Sequence, residues 1–191
     1  MTAPQNKTQH ELLQERAAAV DLRAYHLHLD LSEVLDSPTY RVTTRLELTS
    51  NEPELFLDCL GESVAELKVN GTQQEVDFDG SIIRLHGVPV GEELTIEVTS
   101  HSRYSRTGQG LHRMHDQADN ATYLYSHLEP SDARRIFPCL EQPDLKAVFH
   151  VRMTAPKQWQ ILSNQPEVER NEDDNLATVT FTPTPPLSTY L

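Results

Sequence analysis

Two runs near the amino terminus restrict the fold more than anything else in the chain. Tyr25, Leu27, Leu29 and Leu31 alternate with His26, His28 and Asp30. Val42, Thr44, Leu46 and Leu48 alternate with Arg41, Thr43, Arg45 and Glu47. A period of two puts one set of side chains on one face of a strand. Each run therefore predicts a half-buried strand. Asp36-Ser37-Pro38 between them predicts a turn, and antiparallel pairing is the simplest arrangement. Short strand-like runs follow at 55–57, 64–69, 75–78, 82–85 and 94–98, with tight-turn signals at Asn70-Gly71 and Asp79-Gly80 and a further break at Gly91. No helical crossover separates them. That rhythm predicts an all-β sandwich and argues against α/β.

The rest of the chain is read by the same rules. Met1 to Gln9 reads as a loose tail. Glu11 to Val20 is rich in helix formers, with Leu12, Leu13 and Ala17 at helical spacing, so one short helix ending near Asp21 is predicted. Residues 100–120 and 129–143 are predicted to be irregular, the second because Pro130, Pro138 and Pro143 limit regular structure. Residues 122–126 and 159–162 read as extended. Ala147, Phe149, Val151 and Met153 alternate, as do Ala177, Val179 and Phe181, and residues 167–175 between those runs read as a charged hairpin connection. Ser188 to Leu191 reads as a strand beginning. The domain organisation expected is a tail and short helix over 1–20 and a β-sandwich over 21–191.

Charge narrows the function. A formal net charge of -13, with Arg134-Arg135 the only adjacent basic pair, supplies no footprint for general nucleic-acid binding. There is no run of 18 apolar residues, so no spanning helix and no membrane partner are expected. The first ten residues are polar and lack an apolar signal core, which makes the cytoplasm the expected location. Cys59 and Cys139 read as two free, buried thiols.

Several constellations imitate chemistry without completing it. His10-Glu11-Leu12-Leu13-Gln14 approaches a His-Glu-x-x-His zinc helix, but an amide at the fifth position is a poor zinc ligand. His26 and His28 share a strand face, where Asp30 would have to converge with them to hold a metal. His112, His115 and Asp116 would form a better cluster, but Arg106 and Arg113 beside them oppose a cation. Gly108-Gln109-Gly110 lacks the further glycine and lysine of a nucleotide loop. No Gly-x-Ser-x-Gly elbow occurs.

The most distinctive stretch runs from Tyr123 to Phe149. Its parts are Ser126-His127-Leu128-Glu129-Pro130, Ala133-Arg134, Phe137-Pro138-Cys139 and Glu141-Gln142-Pro143. This combination resembles the M1-family zinc aminopeptidases. The opening, Glu15-Arg16-Ala17 followed by Tyr25-His26-Leu27-His28-Leu29-Asp30-Leu31, is similar to the bacterial aminopeptidase N branch, and Pro186 to Leu191 resembles the end region of the same domain. The resemblance implies a twisted antiparallel β-sandwich that packs against a catalytic domain of the same polypeptide. That domain carries the zinc ligands and the glycine-rich motif, which this sequence lacks. The implied function is that of a non-catalytic amino-terminal fragment, inactive alone and holding no cofactor, in an enzyme that uses zinc to remove amino-terminal residues from peptides.

The resemblance carries specific residues with it. Glu129 falls where the family's glutamate binds the free α-amine of the peptide. A carboxylate suits that role, because a charged amine pairs with it and a blocked terminus leaves it unpaired. His127 replaces a glutamine that shapes the pocket for the first residue. Glu141 replaces an aspartate. Arg134 is expected to gather backbone carbonyls and an acid, Glu141 or Asp132, within the irregular segment. Cys139 is expected to pack as a small hydrophobe, and Phe137 to belong to the core. The alternative from a different class is a self-standing β-sandwich interaction module.

Overall fold

The computed structural model describes residues 9–191. One helix, α1 (Gln9–Ala19), runs straight into β1 (Val20–Asp30), and β2 (Thr39–Ser50) returns beside it. The smaller strands β3 (Glu54–Asp58), β4 (Ser63–Val69), β5 (Thr72–Gln73), β6 (Asp77–Phe78) and β7 (Ile82–His86) follow. Then come β8 (Glu93–Arg103), β9 (Gly110–Asp116) and β10 (Ala121–His127). A single 3-10 turn (Ala133–Arg135) interrupts the irregular segment before β11 (Val148–Pro156), β12 (Glu167–Glu172) and β13 (Leu176–Phe181).

Eight strands form one sheet in the order β12-β13-β11-β1-β2-β8-β4-β5. Its register follows from the alternation. Tyr25 lies opposite Leu46 and Leu29 opposite Val42, while Leu46 faces Ile96 on β8. On the other side of β1, Tyr25 meets Phe149 and Leu27 meets Val151. One face thus collects the buried apolar side chains, and a slip of one residue would expose the whole set. The three-stranded sheet β3-β7-β6 contributes Leu55, Leu57, Ile83 and Leu85 to the same buried cluster. The layered all-β architecture with its short amino-terminal helix matches the pattern read from the sequence.

Asn70 and Gly71 join β4 to β5 as a two-residue turn, with Val69 paired to Thr72. Both have positive φ, 48° and 76°, as a primed hairpin turn requires. Asp79 closes the next hairpin by accepting from the Ser81 and Ile82 amides at 2.9 and 3.0 Å. Every ladder is antiparallel except β1 with β11. A parallel pair needs a long connection, and here everything between Leu31 and Ala147 forms it.

Some local expectations were displaced. Residues 100–120 are not wholly irregular, because β8 continues to Arg103 and Gly110–Asp116 is a strand paired with β10. That hairpin buries Leu111 but leaves most of its other side chains half or fully exposed, so it carries no period of two. Glu167–Glu172 is an edge strand on β13. Its charges mask the strand pattern and also guard an open edge. Residues 157–166 join no ladder, and the end of the chain forms only an isolated bridge, Ala147 with Leu187, before a turn.

A buried ion pair docks α1. Arg16 donates from Nη1 to Asp58 Oδ2 at 2.7 Å, with the arginine side chain 3% exposed and the aspartate 14%. The guanidinium also lies over the Phe56 ring at 4.5 Å.

Two substitutions test these supports. In Gly71→Ala nothing lies within 4 Å of the added methyl, so the cost is purely conformational. It should lower stability by about 1 kcal/mol in urea unfolding. Asp58→Ala strands the Arg16 charge and should cost about 3–5 kcal/mol.

Candidate functional site

The irregular segment after β10 is tied to the sandwich by polar groups. Tyr25, fully buried, stacks on Phe149 at 4.9 Å between ring centroids and meets Phe137 edge-on at 5.9 Å. Its hydroxyl accepts the Leu140 amide at 2.9 Å, and burial pushes its pKa well up, so it stays a neutral phenol. Asp58 and Cys139 exchange backbone hydrogen bonds of 2.7 and 3.0 Å. The same Asp58 Oδ2 that takes Arg16 also accepts the Glu141 amide at 2.9 Å. Gln142 accepts from Arg16 Nε at 3.1 Å and donates to the Leu13 carbonyl at 3.0 Å.

Glu141 joins two parts of the chain. Its Oε2 accepts the backbone N–H of Arg134 at 2.8 Å, and its Oε1 takes the Thr189 hydroxyl. The Arg134 guanidinium donates instead to the Ser131 carbonyl at 3.0 Å. Asp132 pairs with Arg135 at 2.5 Å. Cys139 is fully buried with its thiol 3.8 Å from Glu141, and burial raises its pKa well above the ordinary value. Phe137 is buried in the core. Asp58, Gln142, Thr189 and Tyr25 carry much of this network. No local pattern marks them, because their partners lie up to 129 residues away.

His127 is the last residue of β10, opposite Gly110. Both His127 and Glu129 are exposed, and the Glu129 side chain makes no hydrogen bond or ion pair among the described residues. The Glu129–Pro130 peptide is cis. Both residues lie on the rim of an open concavity of about 1090 Å³. Leu27, Leu29, Phe149, Val151 and Met153 form its apolar floor, while Tyr125 and Trp159 contribute to the walls. Nine large apolar side chains are exposed among the described residues. Five of them, Leu35, Tyr123, Tyr125, Leu162 and Leu191, line this one hollow. The arrangement places a free carboxylate beside a large unpartnered apolar surface.

The histidine sets do not converge. His26 stacks on His150 at 4.3 Å and lies 3.1 Å from Glu47, and burial lowers its pKa. His28 meets the Thr154 hydroxyl at 2.9 Å, while Asp30 caps the Ser32 amide. His112 accepts the Gly108 amide, His115 lies near Thr122, and Asp116 caps Ala118. The side chain of His10 lies outside the described residues. Among the described residues no group of three His, Cys, Asp or Glu side chains is placed to hold a metal ion. No helix among them is long and apolar enough to cross a membrane.

Comparison with known proteins places these features. The family model for the Peptidase M1 N-terminal domain matches residues 24–191. The chain is 36% identical to aminopeptidase N of Streptomyces lividans over 185 residues, 95% of this chain and 21% of that protein. It is 27% identical to leucyl aminopeptidase of Saccharolobus solfataricus over 90% of this chain, again 21% of that protein. It therefore spans about a fifth of the length of these relatives. A likeness of fold links it to an M1 zinc metallopeptidase from Deinococcus radiodurans, with a TM-score of 0.74 at 24% identity, over 90% of this chain and 41% of that one. The family match over most of the chain, with a relative 36% identical along it, establishes that this chain belongs to the family of Peptidase M1 N-terminal domains.

Proposed function

We propose that this domain is the amine-recognition part of a zinc aminopeptidase, with Glu129 binding the free α-amine of the peptide. The supporting observation is the unpaired, exposed carboxylate of Glu129 on the rim of the apolar concavity. In this reading residues 21–191 are the non-catalytic domain, residues 1–20 its tail and helix, and a catalytic domain of the same polypeptide covers the concavity. Five of the nine exposed large apolar side chains among the described residues gather in this one hollow, as on a surface that meets a partner.

The chemistry divides accordingly. Zinc in the catalytic domain, when bound, polarises the scissile carbonyl and activates water. Glu129 holds the amine by a charge-assisted hydrogen bond and so fixes which peptide bond is presented. His127, just before it at the end of β10, faces the first side chain of the peptide. Its ring is bulkier than the family's glutamine and presents ring nitrogens in place of an amide, so it changes the shape and hydrogen bonding of that pocket. Arg134 and Glu141 act behind them by holding the segment's backbone. The two free buried thiols support a reducing, cytoplasmic setting.

Two measurements test this assignment. In the complete enzyme, Glu129→Gln should lower kcat/KM by about one to two powers of ten, the loss of a charged hydrogen bond. Thermal midpoint and zinc content should stay at wild-type values, because the side chain holds nothing in the fold. Wild-type activity in that variant would overturn the role. The 191-residue chain alone should retain no stoichiometric zinc after dialysis and should not cleave an amino-acid anilide. One tightly held zinc per chain with turnover would overturn the division of labour.

A further inference from the structure

Two hollows meet at the base of the β9–β10 hairpin, where Leu111 lines both. Adjoining the apolar concavity is a pocket of about 610 Å³ whose wall includes Arg103, Arg106, Arg113 and Arg135. Among the described residues Glu62 is the only acid lining it. A quarter of the chain's 16 basic residues thus meet in one pocket of a protein that carries 29 acidic ones. Gathering four guanidinium groups is electrostatically unfavourable unless something offsets them.

Two of the four are offset within the fold. Arg103 pairs with Glu62 at 2.6 Å, and Arg135 pairs with Asp132 at 2.5 Å. The other two have no ion-pair partner among the described residues. Arg113 donates from Nη1 to the Val34 and Ser37 carbonyls, both at 2.6 Å, and its guanidinium lies 4.5 Å over the Tyr104 ring. Those partners fix its position without cancelling its charge. Arg106 is exposed and makes no ion pair among the described residues. The wall is also built to admit Arg135. A Cβ on Gly110 would stand 3.0 Å from the Arg135 Cβ, so a side chain there would press on it. Ser105 and Thr107 add hydroxyls to the same wall.

We propose that this pocket binds a small anion carrying two or more oxyanion groups, held between Arg106 and Arg113 with Arg103 and Arg135 flanking. Guanidinium forks match carboxylate and phosphoryl oxygens in pairs. Two guanidinium groups without an ion-pair partner favour a ligand of at least two negative charges, and the volume exceeds that of a single phosphate. The Arg103–Glu62 pair is more than 40% exposed on both sides, so it opens at little cost when a stronger anion arrives. The site is independent of the role given to Glu129, since neither Glu129 nor His127 lines it.

Calorimetric titration of the 191-residue chain with pyrophosphate, and separately with citrate, tests this. At least one should bind at one per chain, and which one does tells phosphoryl from carboxylate chemistry. Arg106→Glu should weaken binding by about tenfold or more, the loss of one charged hydrogen bond. Its circular dichroism should be unchanged, because the side chain supports nothing. Glu62→Gln should tighten binding, since it removes the only acid in the wall. Arg23→Glu, an equal charge change at a residue paired with Glu93 at 2.6 Å, should leave binding as in wild type. Absence of binding by both anions would overturn the proposal. So would an equal loss in Arg23→Glu and Arg106→Glu, which would mark a net-charge effect. Binding of a hexaglutamate peptide with neither small anion bound would also overturn it, in favour of an acidic partner segment.

Discussion

The carboxylate of Asp58 is the point on which the functional half of the molecule depends. It ends a short strand of the smaller sheet, yet one of its oxygens serves the helix through Arg16 and the irregular segment through the Glu141 amide. Its backbone is bridged to Cys139 at the same place. Three parts of the chain that are remote in sequence are therefore fixed by one residue. Burying a charged pair is expensive, and its net contribution to stability is often small. Its value here is geometric, because a segment with three prolines cannot use a regular ladder to hold its backbone. Arg16 Nη2 is buried without a hydrogen-bond partner among the described residues.

Glu141 extends the same logic. It satisfies the Arg134 amide on one side and Thr189 on the other, so the segment is clamped to the last residues of the chain as well as to the first. Tyr25 adds an uncharged anchor from the centre of the large sheet. Its ring packs among Phe137 and Phe149, while its hydroxyl holds Leu140. Apolar and polar constraints thus converge on residues 137–142, just after the exposed Glu129. An exposed carboxylate is easily placed by chance. Here the same irregular segment that carries it is fixed to the sheet at Leu140 and Glu141.

What was legible in the sequence follows from whether the cause is local. The alternation at 25–31 and 42–48 reflects one buried face, so both strands and their antiparallel pairing could be read directly. Asn70-Gly71 encodes its own turn through φ. The β9–β10 hairpin could not be read in full, because its outer side chains meet solvent or the apolar hollow rather than a continuous core. The edge strand at 167–172 was hidden for a related reason, since its charges suit an edge and imitate a loop. The candidate site was legible in part. Motif resemblance drew attention to His127 and Glu129, whereas Asp58, Gln142 and Thr189 have partners that only folding brings near.

The hairpin itself explains why a functional group would sit at its base and not at its tip. A two-stranded sheet is marginally stable alone. This one depends on what grips its lower end. Leu111 enters the core there, and Arg113 is held by the Val34 and Ser37 carbonyls and the Tyr104 ring. Gly110 allows the Arg135 stem to approach closely. The far end carries exposed Met114 and Tyr123 and turns at Asn120 with positive φ. His127 pairs with Gly110, so the strand delivers the chain to Glu129 from its most constrained rung. Leu111, one residue along from Gly110, lines both the apolar concavity and the basic pocket, so the two hollows meet at the base of the hairpin.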